Sequence, residues 1–170
     1  MAILGIDEVG RGPLAGPLVV GAVVIPEYLG PRPEWINELR DSKKLSAKKR
    51  EYLSEIIWKE IPAGLGWVSA AELDALGVSE ALKLATRRAV KSVQGLRASF
   101  SQIVIDGKVN FLTGTPIEQY ASTKVKADDL IKEVSAASIV AKVARDHYMV
   151  ELASRFPNYG FEKNVGYGTA

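Results

Sequence analysis

The chain has 170 residues, 47% of them hydrophobic, which is enough for one domain with a substantial core. It contains no cysteine, so disulfides, thiolate catalysis and cysteine-ligated zinc are excluded. A net charge of +2 is too slight to argue nucleic-acid binding from overall charge.

In chain order, Ala2 to Asp7 reads as a short strand that runs into the acidic pair Asp7-Glu8 and then Gly10-Arg11-Gly12. The opening MAILGIDEV has no basic flank and meets two acids early, which is not the pattern of a secretory signal. Leu18 to Ile25 is a valine-rich run expected to be a strand buried on both faces, and residues 26–33 read as a loop. Ser46 is placed to cap a helix reaching about Glu60, with Pro62 as its stop. Gly64 to Ser69 predicts a third strand. Ser69 and Glu72 have the spacing of a capping box, opening a short helix that Gly77 ends. Ser79 can cap a longer helix to about Gln94, before Gly95. Ile103 to Asp106 is a fourth strand, Gln119 to Lys126 a weaker fifth, and Ser135 to about Phe156 a long helix. No apolar stretch reaches the roughly 20 residues of a membrane helix, and the expectation is a soluble cytoplasmic protein in the α/β class.

Acidic residues recur at the ends of these apolar segments: Asp7, Glu8, Asp106 and the pair Asp128-Asp129. Carboxylates gathered at one sheet edge repel each other unless divalent cations sit among them, and oxygen ligands suit Mg2+ or Mn2+. Such a cluster points to metal-assisted phosphoryl chemistry. Adjacent strand residues face opposite ways, so Asp7 and Glu8 can share a site only if the chain bends just after the strand, which Gly10 and Gly12 allow. Lys43, Lys44, Lys48, Lys49 and Arg50 form a basic run readable either as a solvated helix face or as a phosphate-contacting patch. In the long helix, Ser138, Lys142 and Arg145 make a polar stripe, whereas Ala137, Val140, Ala144 and Tyr148 make an apolar side expected to be core. His147 is a tempting general base but is not expected to act as one, and Trp35, Trp58 and Trp67 are read as core or rim.

The phrase Asp7-Glu8-Val9-Gly10-Arg11-Gly12-Pro13-Leu14-Ala15-Gly16-Pro17 resembles the opening motif of the type 2 ribonucleases H. The resemblance continues in order through Asp41-Ser42-Lys43-Lys44-Leu45, Ile105-Asp106-Gly107, Lys126-Ala127-Asp128, Ser135-Ala136-Ala137-Ser138-Ile139, Ala141-Lys142-Val143-Ala144-Arg145-Asp146 and Gly166-Tyr167-Gly168-Thr169. Arg11, and a first motif that starts at residue 7, make the chain similar to ribonuclease HII rather than ribonuclease HIII, with no preceding domain expected.

The resemblance implies a ribonuclease H-like fold, a central mixed five-stranded sheet flanked by helices, as a single catalytic domain over residues 1–170. A C-terminal helical segment typical of the family would follow Thr169 and is not expected within this sequence. The implied activity is a two-metal endoribonuclease using Mg2+ or Mn2+. Its substrates would be RNA/DNA hybrids and DNA duplexes containing ribonucleotides, cut to leave 5′-phosphate and 3′-hydroxyl ends, and the protein would be a monomer. Asp7, Glu8, Asp106 and Asp128 are the implied catalytic metal ligands. Asp128 is chosen over Asp129 because it lies eight residues before Ala136, as the family's acid does. Gly10, Arg11, Gly12, Lys43, Ser138, Lys142, Arg145 and Tyr167 are the implied substrate contacts, with the glycine loop on a ribose 2′-hydroxyl, Tyr167 on the next nucleotide and Asp146 orienting a basic neighbour. Two rival readings are a catalytically silent nucleic-acid-binding module and a Mg2+ enzyme acting on a small phosphorylated metabolite.

Overall fold

The computed structural model describes residues 2–27 and 31–168. Tyr28 to Gly30 of the expected loop, and Thr169 of the last motif, lie outside the described residues. Strand β2, Leu18–Val24, is buried along its whole length, as its valine run predicts. On one side it pairs antiparallel with β1, Ile3–Val9, and on the other antiparallel with β3, Ala63–Val68. Strand β4, Gln102–Asp106, runs parallel to β1, and β5, Ala121–Lys124, runs parallel to β4. The result is a mixed five-stranded sheet in the order β3-β2-β1-β4-β5. The fifth strand is shorter than expected because a 3-10 turn, Glu118–Tyr120, takes up its start.

Local signals set the helix boundaries. Ser46 caps α1, Ala47–Glu60, by accepting the Lys49 amide, and the helix stops ahead of Pro62. Ser69 and Glu72 form the capping box of α2, Ala70–Gly95, whose backbone leaves helical geometry at Gly77 (φ 73°, ψ 161°), where two separate helices were expected. The long helix α4, Lys132–Arg155, begins before the expected Ser135. Two short helices, α3 (Ala127–Leu130) and α5 (Phe161–Asn164), have no clear sequence signal.

Strand alternation sorts side chains into two cores. Leu4, Ile6, Leu18, Val20, Ile103 and Ile105 pack with Leu82 and Ala85 of α2 on one face. Val23 and Ile25 pack with Leu53 and Ile57 of α1 and Ile139 and Val140 of α4 on the other. Each fully buried Leu or Ile contributes about 1.5–3 kcal/mol. By the same alternation Gly5 and Asp7 face α4, as do Val104 and Asp106. The helix backbone comes close here: a Cβ on Gly5 would overlap the backbone of Glu133 and Val134, and one on Gly21 the carbonyl of Ala137. Gly21 stands opposite Asp7 in the ladder, so this close approach brings the start of α4 against the acidic end of β1.

The expected two-sided character of α4 is corrected. Every residue from 134 to 141 is buried, because this half is wedged between the sheet and α1. Ser138 is therefore inside, Arg145 is 0% exposed, and Tyr148, expected in the core, is 43% exposed. Met149 fills the core position instead.

Candidate active site

Ile6 of β1 stands opposite Ile105 of β4, so Asp7 and Asp106 follow side by side at the same end of two parallel strands and on the same face. Asp106 Oδ1 accepts the Ala127 amide at 2.7 Å, which ties the start of α3 to the end of β4 and sets Asp128 in the first turn. Ser135 of α4 secures α3 from below, donating its hydroxyl to the Asp128 carbonyl at 2.6 Å.

Asp7 is 7% exposed. Burial, then the charge of Glu8 and more weakly that of Asp106, pushes its carboxyl well above the usual carboxylate range, opposed by hydrogen bonds from the Ser138 hydroxyl and the Glu8 amide. Burial also raises Glu8, with Arg11 and Lys43 opposing the shift and Asp106 reinforcing it. Asp128 is raised by burial, then by Asp106, Asp41 and Asp129. Asp7, Glu8 and Asp128 are thus each held above their ordinary range, first by burial and then by neighbouring carboxylates, with Asp106 acting on all three. The bend expected just after the strand is present: the ladder with β2 runs through Glu8 to Val9 before the chain turns at Gly10 (φ 93°). Glu8 therefore departs on the opposite side from Asp7 at the sheet's end.

Among the described residues no three acidic or histidine side chains already converge tightly enough to cage an ion. The donor chemistry nevertheless fits a hard divalent cation. All candidate ligands are carboxylate oxygens, and their mutual repulsion is what a cation would relieve. Asp129, the competing acid, instead points to solvent and pairs with Lys44 at 2.5 Å, which lowers its pKa.

The basic run resolves residue by residue. Lys49 pairs with Glu38, Arg50 donates to the carbonyls of Ser42 and Leu45, and Lys44 holds Asp129. Lys43, on a 3-10 turn capped by Asp41, is exposed and close enough to the acids to act on Glu8 and Asp128. Arg11 is exposed and lies 3.8 Å from Glu8. Lys142 pairs with Asp146 at 2.8 Å, the orienting role expected of that acid. Tyr167 is 43% exposed, and its ring lies 3.9 Å from where a Gly12 Cβ would stand, so the glycine loop and the tyrosine are neighbours.

Two expected substrate contacts are corrected. Ser138 is buried and bonded to Ser42 Oγ at 2.9 Å and to Asp7, so it orients a carboxylate instead of facing solvent. Arg145 spends its nitrogens on the carbonyls of Pro17, Val165 and Ala15 at 2.8–2.9 Å and has no surface to offer a phosphate. Sequence reading missed Ser42, Ser135 and Asp41 as parts of the site. The glycines inside β1 and β2, marks of close backbone approach, were the available signal for the serines. His147 is exposed on α4 and bonded to Glu51 at 2.9 Å.

A family model described as Ribonuclease HII matches residues 4–170. A Ribonuclease HII of Geobacillus sp. (strain WCH70) is 45% identical over 99% of this chain, which spans 56% of that protein's length. One from Fusobacterium nucleatum is 42% identical over 98% of the chain and 75% of its own length. In structure, the ribonuclease H2 of Pyrococcus horikoshii OT3 superposes with a TM-score of 0.79 at 30% identity, covering 99% of this chain and 82% of that one.

Proposed function

Because the chain belongs to the ribonuclease HII family, we propose that it is a metal-dependent endoribonuclease. It cleaves the RNA strand of RNA/DNA hybrids and incises DNA duplexes 5′ to an embedded ribonucleotide, leaving 5′-phosphate and 3′-hydroxyl ends. The observation that carries this reading is the placement of Asp7 and Asp106 on adjacent parallel strands, with Asp128 hung from Asp106 through the Ala127 amide. Beside them stand the glycine loop, exposed at Arg11 and Gly12 but buried at Gly10, and an exposed tyrosine.

Asp7, Glu8, Asp106 and Asp128 would hold Mg2+ or Mn2+. Such ions, when bound as a pair, supply water activation and charge neutralisation at the leaving oxygen. The chain's own residues do the rest. Ser138 and the Glu8 amide fix the Asp7 carboxylate, so that it is in place before substrate arrives. Lys43, close enough to act on Glu8 and Asp128, and Lys142, one helical turn beyond Ser138, would meet backbone phosphates, which position the duplex without reading its sequence. Gly10-Arg11-Gly12 would present backbone groups to a ribose 2′-hydroxyl, the atom that separates RNA from DNA. Tyr167 would stack on the adjoining nucleotide. Residues 1–170 would act as one catalytic domain of a monomeric cytoplasmic protein.

The deciding experiment is incubation with a duplex containing one ribonucleotide, with Mg2+ or Mn2+, followed by mapping of the cut. A nick 5′ to the ribonucleotide, and an intact all-DNA duplex, is the expected result. Equal cutting of both duplexes would mean a general nuclease, and tight binding without cutting in either metal would mean a silent binding module.

A further inference from the structure

Arg145 is fully buried, yet no acidic side chain among the described residues forms an ion pair with it. Its fork is instead satisfied by three backbone carbonyls from two distant segments. Nε donates to Pro17 at 2.9 Å, Nη2 to Ala15 at 2.9 Å, and Nη1 to Val165 at 2.8 Å. The same guanidinium lies 6.0 Å from the centre of the Tyr167 ring. Gly10 and Gly16, both at φ 93°, wrap around it: a Cβ on Gly10 would come within 2.7 Å of Nε, and one on Gly16 within 3.1 Å of Nη2. A second tie links the same segments directly, since the amides of Leu14 and Ala15 both donate to the Gly166 carbonyl at 2.9 and 3.3 Å. A buried charge costs free energy unless hydrogen bonds satisfy it. Only a planar, three-sided donor can serve these carbonyls at once, which Lys cannot do.

We propose that Arg145 is a positioning residue that joins the Gly10–Pro17 loop and the Val165–Tyr167 turn into one rigid reader, so that discrimination for the 2′-hydroxyl depends on it although it touches no substrate. This rests on the reading of the glycine loop and Tyr167 as substrate-reading elements. The coupling it imposes is a property of the unbound fold and is measurable without turnover.

The test pairs amide hydrogen exchange with a double-mutant cycle on cleavage, using Arg145→Lys, Tyr167→Ala and the double variant. In folded Arg145→Lys, exchange should quicken by at least about tenfold in residues 10–17 and 165–167 and stay unchanged in β4 and α1, because only those segments lose a partner. On a duplex with one ribonucleotide, kcat/KM should fall by at least about tenfold. Tyr167→Ala should then add less than about threefold in the Arg145→Lys background although it costs more in wild type, because contacting residues couple. Selectivity for the ribonucleotide over an all-DNA duplex should narrow as well, which a loss of general stability would not cause. Unchanged exchange in residues 10–17, or additive effects of the two substitutions, would overturn the proposal. If wild type cuts neither duplex, the catalytic reading fails while the exchange experiment still decides the clasp. Should Arg145→Lys not fold, Gly16→Ala loosens the clasp from the loop side, because its Cβ would press on Met149 and the guanidinium, and it should give the same exchange pattern. Failure of both to fold would overturn the proposal, because the contacts would then belong to the global core.

Discussion

Replacing Asp7 by Asn removes a charge while keeping the side chain's size, and the two consequences have opposite signs. Asp7 is 7% exposed and sits beside two other acids, with the Ser138 hydroxyl and the Glu8 amide as its hydrogen-bond partners. Burial first, then Glu8, raises its pKa above the ordinary 3.8. For an acid whose folded pKa is raised, the folded state holds the extra proton: its stabilising contribution is complete below 3.8 and is lost as pH climbs through the raised value. At about pH 7 Asp7 thus weakens the metal-free fold, because its carboxyl is harder to ionise folded than unfolded. Asn escapes that loss and can still accept the Glu8 amide. Neutralising a buried charge of this kind is worth on the order of 1–3 kcal/mol, and at about 2–4 °C per kcal/mol for a domain of this size that is about 2–12 °C in Tm. Calorimetry in chelator should show metal-free Asp7→Asn melting above wild type at about pH 7, with the gap closing as pH falls toward 3.8. Mg2+ or Mn2+ should reverse the order. Ion at about a thousand times its Kd adds about 4.1 kcal/mol to wild type, more than the gap it must overcome, whereas the variant should gain little. Cleavage should fall by far more than tenfold, which is about 1.4 kcal/mol in the barrier. Metal-free Asp7→Asn melting below wild type at neutral pH, or retaining activity within about tenfold, would refute the reasoning.

Asp128→Ala should abolish cleavage while Asp129→Ala remains within about threefold, because Asp129 meets Lys44 and the Asp41 backbone at the surface, where ion pairs are worth about 0–1 kcal/mol; a side-by-side rate assay checks the ranking. Gly21→Ala should lower stability by about 1–3 kcal/mol or more, since its Cβ would overlap the Ala137 carbonyl and push α4 off the sheet. It should also slow cleavage by separating Ser138 from Asp7, which denaturation and kinetics together would report. Tyr167→Ala should slow incision at a single ribonucleotide, because a stacked ring is worth about 1–3 kcal/mol; an unchanged rate would place the nucleotide elsewhere.

What the sequence determined is what depends on near neighbours. The caps at Ser46 and Ser69, the break at Gly77 and the doubly buried β2 follow from turn chemistry and alternation, and all appear where expected. The acids stood out because a charge at the end of an apolar strand is conspicuous in one dimension. The resemblance ordered them, but it did not say which neighbours hold them. That depends on contacts between residues far apart in the chain. Ser42 meets Ser138 across 96 positions and Arg145 meets Ala15 across 130. Helical periodicity placed Ser138, Lys142 and Arg145 on one polar stripe, yet a helix wedged between a sheet and another helix has no solvent side along its first half. Whether a polar side chain there faces water or a backbone carbonyl is settled by what packs on it. Only the tertiary structure therefore turned Ser138 from a phosphate contact into the support of Asp7, and Arg145 into the buried tie between two loops.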